Sequence, residues 1–162
     1  MPIRLIRIDD RFIHGQVTVG WVRSYSINEI WIVDDKVAAN PAFKELQIAL
    51  APPNVNVKIL TISEAMNEIK KDQKNNVMII ISSASNCVKL LEGSGLKIDW
   101  INVGQSAWKP GRVIVTKSYA VDQEEVEAFK KLREMNIKAI YQMLPEDQPR
   151  DFYQLLREKK LL

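Results

Sequence analysis

Val77-Met78-Ile79-Ile80-Ile81 is an unbroken run of five apolar residues, and no other stretch restricts the fold more. Successive side chains of a strand point to opposite faces, so such a run fits a strand covered on both sides, as in a parallel sheet between helices. The rest of the chain alternates to match. Strand-like segments at 3–8, 29–34, 55–61, 98–103, 113–115 and 137–144 are interleaved with helical ones at 15–25, 63–69, 122–135 and 149–160. A further helix opens at Asn40-Pro41, with a cap residue and a proline at its first position; Phe43, Leu46, Ile48, Ala49 and Leu50 supply its apolar face, and Pro52-Pro53 stops it. Ser63 is the expected cap of the next helix, and another carries Val88, Leu90 and Leu91 until Gly93 and Gly95 end it.

This pattern predicts an α/β fold: an open, mainly parallel, twisted sheet of about seven strands with helices on both faces. Val113-Ile114-Val115 follows the previous strand by only about ten residues, which is tight for a helical crossover, so an antiparallel strand or an irregular loop is expected in the C-terminal half.

Composition narrows the class. With 46% hydrophobic and 27% charged residues, the 162-residue chain reads as one soluble domain over 1–162. A net charge of +3 is too mild and too dispersed for nucleic acid. The longest apolar run falls far short of the roughly 20 residues of a membrane span, and Arg4 and Arg7 break any signal-peptide pattern. The single cysteine, Cys87, allows no internal disulfide and reads as a small buried side chain. A cytoplasmic protein is expected.

The only histidine, His14, stands in Arg11-Phe12-Ile13-His14-Gly15-Gln16, just after Asp9-Asp10. A neutral imidazole can attack phosphorus, a guanidinium can pair with phosphate oxygens, and a carboxylate can fix the ring tautomer. The strand–loop–helix reading puts His14 at a helix entrance, on the sheet edge where open parallel sheets bind ligands. Along that edge the groups best suited to an anion are Arg11, the amides near Gly15, and the hydroxyls of Ser82 and Ser83. One His and one Cys exclude a zinc site with histidine pairs; no G-x-G-x-x-G, P-loop or G-x-S-x-G motif is present. Plainer readings stand beside these: a solvated or capping histidine, a strand-ending turn at Asp9-Asp10, a surface ion pair at Arg11. Trp21, Trp31 and Trp100 read as packing residues, and Trp108, in a turn-rich segment, suits either core or binding.

The stretch Ile6-Arg7-Ile8-Asp9-Asp10-Arg11-Phe12-Ile13-His14-Gly15-Gln16-Val17 resembles the phosphorylation loop of IIB components of the mannose/sorbose family of the bacterial phosphotransferase system. Val33-Asp34-Asp35, Asn40-Pro41, Ile101-Asn102-Val103-Gly104 and Pro145 follow in the expected order, whereas Gln105-Ser106-Ala107-Trp108 departs from the family's short loop. The resemblance implies a protein-histidine to sugar phosphotransferase that takes phosphate from a IIA protein on His14, through Nδ1. It then passes the group to a sugar entering through membrane IIC/IID partners. It implies no cofactor or metal, a cytoplasmic protein bound peripherally to the transporter, and leaves a homodimer open. Arg11 would then meet the phosphate oxygens, joined by the Gly15 and Gln16 amides. Asp9 or Asp10 would orient the ring, and Ser82 and Ser83 would donate if the first and fourth strands are neighbours. Arg7 would assist unless strand alternation turns it away. The alternatives are a non-enzymatic anion- or metabolite-binding regulatory domain, and a small oligomeric scaffold with tryptophans at its interface.

Overall fold

A strand that is apolar on both faces needs two cores. The computed structural model, which describes residues 2–162, supplies one on each side of a central sheet. In chain order the strands are β1 (Ile3–Asp9), β2 (Glu29–Val33), β3 (Asn56–Leu60), β4 (Val77–Ile81), β5 (Trp100–Gln105), β6 (Val113–Thr116), β7 (Tyr119–Val121), β8 (Lys138–Tyr141) and β9 (Arg150–Asp151). The helices are α1 (Gly15–Ser24), α2 (Asp35–Ala38), α3 (Pro41–Ala49), α4 (Ile62–Ile69), α5 (Ala84–Ser94), α6 (Gln123–Glu134) and α7 (Phe152–Glu158).

Seven strands form the sheet in the order β3-β2-β4-β1-β5-β8-β9, parallel throughout except for β8 with β9. Along β4, Val77, Ile79 and Ile81 enter the core under α4 to α7, while Met78 and Ile80 enter the core under α1 to α3. None of the five is more than 1% exposed. Each such burial stabilises by about 1.5–3 kcal/mol, so truncating Ile80 to alanine would cost about 2–5 kcal/mol, cavity included.

The α/β sheet with its single antiparallel edge strand is as the alternation predicts. Several details differ. The segment at 113–115 is not a strand of the central sheet; as β6 it pairs antiparallel with β7 in a separate hairpin, one of the two outcomes that its short spacing left open. Strand β9 occupies the start of what reads as a continuous last helix, because Asp151 caps α7 by accepting from the Tyr153 amide. Helix α4 is capped by Thr61 rather than Ser63: Thr61 and Glu64 exchange hydrogen bonds in a capping box. Leu46 and Ile48 in α3 and Leu50 at its C-cap are about half exposed (51%, 51% and 45%), so the apolar positions are not all covered. Its inward face carries instead Phe43 and, one turn on, the buried Gln47, and this rotation serves the loop after β1.

Candidate functional site

Strand β1 lies between β4 and β5 and ends at Asp9; His14 is the N-cap of α1 in extended conformation. The loop between them is held amide by amide. The Asp10 amide donates to the Gln105 carbonyl at 3.1 Å and the Phe12 amide to the Asp9 carbonyl at 3.2 Å. The Arg11 amide donates to Asp9 Oδ1 at 2.9 Å, that of Ile13 to Gln47 Oε1 at 2.8 Å, and that of His14 to Thr18 Oγ1 at 2.9 Å. Phe12 takes a positive φ of 59°, unfavourable for a bulky residue, and is pinned by burial and an edge-on contact with Phe43 at 6.1 Å. After His14 the pattern stops. The amides of Gly15, Gln16 and Val17 have no partner among the described residues, and they form the electropositive first turn of α1. Gly15 enters that turn at φ 52°, which favours glycine.

His14 Nε2 lies 2.7 Å from Asp9 Oδ2, and the same oxygen accepts from Arg7 Nε at 3.0 Å. Asp9 and Arg7 are at most 1% exposed. A carboxylate paired with a buried guanidinium is an acceptor only, so Nε2 carries the ring proton and Nδ1 keeps its lone pair. Nδ1 makes no hydrogen bond among the described residues. Beyond Asp9, Arg7 Nη1 donates to Asn102 Oδ1 and to the Gln142 carbonyl, and its guanidinium carbon stands 5.7 Å from the Trp21 ring centre. Burial pushes the Arg7 guanidinium below its ordinary value, and Asp9 beside it pulls in the opposite direction.

The structure divides the other candidate residues. Arg11 is exposed and its guanidinium has no ion-pair or hydrogen-bond partner among the described residues, so it can turn toward an anion at the start of α1. Asp10 does not reach the ring: its Oδ2 accepts the Ala107 amide at 2.8 Å, tying the loop after β5 to the loop after β1. Burial raises the Asp10 carboxyl above the usual range, against the pull of the Ala107 amide. Strands β1 and β4 are indeed neighbours, yet Ser82 and Ser83 are committed elsewhere. Ser82 Oγ donates to Asp34 at 2.7 Å and Ser83 Oγ accepts the Asn86 amide at 3.0 Å as the cap of α5. An anion already occupies that helix start, since the Glu125 carboxylate takes the Ala84 and Ser85 amides at 2.9 Å each.

A broad cleft of about 1130 Å³ opens beyond Asp10 and Phe12, with Asp34, Ser82, Ser83 and Arg112 in its wall and His14 outside it. Among the described residues no group of three His, Cys, Asp or Glu side chains could hold a metal ion.

A model of the sorbose subfamily IIB component of the PTS system matches residues 3–162. The chain belongs to that family. This IIB chain is 33% identical to the fructose-specific EIIB component of Bacillus subtilis (strain 168), over 97% of each protein. It is 36% identical to the mannose-specific EIIAB component of Escherichia coli (strain K12), over 85% of its own length and 43% of that longer protein. The crystal structure of the IIBSor domain of the Klebsiella pneumoniae sorbose permease superposes with a TM-score of 0.93 at 28% identity, covering 98% of both chains. The chain is therefore a sugar phosphotransferase-system component, and among its described residues no helix is long and apolar enough to cross a membrane.

In this IIB chain, the residues that sequence reading missed around His14 are Asn102, Gln47, Thr18 and Trp21. Asn102 carried a signal: a lone amide between Ile101 and Val103 in a central strand must find a buried partner. Gln47, inside an apolar helix face, carried the same one. Arg7 does point away from Ile6 and Ile8, as alternation requires, but that opposite face is the one Asp9 shares.

Proposed function

We propose that His14 is a phosphoryl relay, accepting the group from a histidine of a IIA protein and passing it to a sugar entering through membrane IIC/IID partners. The observation that carries this reading is the unlike state of the two ring nitrogens: Nε2 is bound to buried Asp9, while among the described residues Nδ1 is unbonded, and His14 caps a helix whose first three amides are unpartnered there. In the inward step the Nδ1 lone pair attacks phosphorus as the donor's nitrogen–phosphorus bond breaks. The ring becomes cationic, and Asp9 stabilises it through Nε2–H. Arg11 and the Gly15 and Gln16 amides meet the charge on the phosphoryl oxygens, since this chemistry depends mainly on positioning and charge stabilisation. In the outward step the sugar oxygen takes the phosphoryl group and the hydroxyl proton moves to Nδ1, leaving an imidazolium that Asp9 holds until water removes the proton.

Family membership supports a sugar acceptor, and the E. coli relative, whose name joins A and B components in one protein, supports a IIA donor. The test is incubation with the phosphoenolpyruvate-driven carriers: acid-labile phosphate is expected on the peptide containing His14 and absent from His14→Gln. Label on that peptide in His14→Gln, or reversible phosphate binding with no covalent adduct in the native protein, would overturn the reading.

A further inference from the structure

We propose that Arg7 is a positioning residue for His14, and that it can act as one only because Gly104 has no side chain.

Asp9 is wholly buried, and a carboxylate without water keeps its charge only beside a positive partner. Arg7 is that partner, at 3.0 Å. A charged Asp9 can only accept, so it selects the His14 tautomer with the proton on Nε2 and the lone pair on Nδ1. A neutral Asp9 could instead donate to Nε2, which would place the ring proton on Nδ1 and remove the nucleophile. Arg7 thus acts on Nδ1 through two other groups without touching phosphate.

The guanidinium has little room to move. Asn102 and the Gln142 carbonyl hold one nitrogen, Met143 Sδ lies 3.5 Å from another, and Trp21 covers a face. Strand β5 closes the remaining side. Ile8 pairs with Val103 and Asp9 with Gln105, so Gly104 is the residue the ladder skips. A Cβ at Gly104 would stand 2.4 Å from Arg7 Cζ and Nη2 and 2.8 Å from Nε. An exposed arginine would swing aside, but this one is enclosed, so Gly104→Ala must push the fork off Asp9 while leaving its charge in place.

The test reads the ring directly. His14 is the only histidine, so protein labelled with 15N-histidine reports both nitrogens of one residue, and their shifts in the neutral ring show which bears the proton. The native protein is expected to be mainly Nε2–H. Gly104→Ala is expected to increase the ratio of Nδ1–H to Nε2–H by about tenfold and to slow phosphate uptake by about tenfold or more, with KM for the donor carrier nearly unchanged. Arg7→Lys, which keeps a charge beside Asp9, is expected to retain the Nε2–H form. Should Gly104→Ala fail to fold, Asn102→Ala removes an anchor of the fork without touching Asp9 and is read in the same way. A folded variant of either kind with the native ring spectrum and uptake rate would overturn the proposal, as would a native ring that is mainly Nδ1–H. The inference rests on His14 being the phosphorylated residue, but the ring spectrum needs no phosphate donor. Absence of label in the native protein would therefore sink the relay reading alone, while an unmoved spectrum would sink this one.

Discussion

Asp9 Oδ2 stands between two donors, 2.7 Å from His14 Nε2 and 3.0 Å from Arg7 Nε, with no solvent around it. Asp9→Asn removes the charge that balances a buried guanidinium, and losing one partner of a buried pair costs about 3–5 kcal/mol. The expected result is an unfolding free energy in urea lower by that amount and phosphate uptake reduced by about a hundredfold or more, from the wrong tautomer. A variant of native stability would show that Arg7 is balanced by something other than Asp9.

Arg11 separates chemistry from folding. Its side chain is exposed and contacts no ion-pair partner among the described residues, so Arg11→Ala should shift stability by no more than about 0.5 kcal/mol. Onward transfer of phosphate should still fall by about a hundredfold, the scale of losing one donor to a developing charge. Stopped-flow transfer beside thermal unfolding distinguishes the two, and an unchanged rate would remove Arg11 from the mechanism.

Gly15 tests backbone alone. Its φ is 52° and a Cβ there would meet nothing within 4 Å, so Gly15→Ala carries a conformational cost of about 1 kcal/mol and no clash. Gly15→Asn, which tolerates this conformation better, should lose less. Equal losses in chemical denaturation would mean that φ is not what the position requires.

Glu125 sets a pH dependence. It is 3% exposed, and burial raises its carboxyl above the ordinary value of 4.5, against the pull of the Ala84 and Ser85 amides and the Tyr119 hydroxyl. A carboxyl raised by folding binds its proton more tightly in the native state. Its contribution to stability is therefore fully present below pH 4.5 and is lost as pH rises through the folded value. Unfolding free energy should fall less steeply over that window in Glu125→Gln than in the native protein; parallel curves would exclude Glu125 as the titrating group.

How far the sequence could be read depended on whether a feature is local. The run at 77–81 announces its own two-sided burial, and Asn40-Pro41 announces a helix start that Asn40 does cap, accepting from the Phe43 amide. Pairing of the hairpin β6–β7 depends on residues that carry no comparable pattern, and helical spacing shows where apolar side chains of α3 lie but not whether anything covers them. At the site, the loop and its histidine were legible, as was the family. Choosing between Asp9 and Asp10 required one further use of strand alternation: Arg7 and Asp9, two apart, share a face, while Asp10 lies beyond the strand and turns toward Ala107. The competing anion at α5 was out of reach, because Glu125 lies 41 residues from the amide it holds at Ala84.

Arg7 reaches the Gln142 carbonyl across 135 positions of chain. That span sets a timetable. During synthesis the histidine is made 128 residues before Gln142, so the bracket behind it is incomplete until the segment after β8 has been made. A nascent chain thus displays the motif long before it owns the site, and until then the bracket that fixes the ring proton is unfinished.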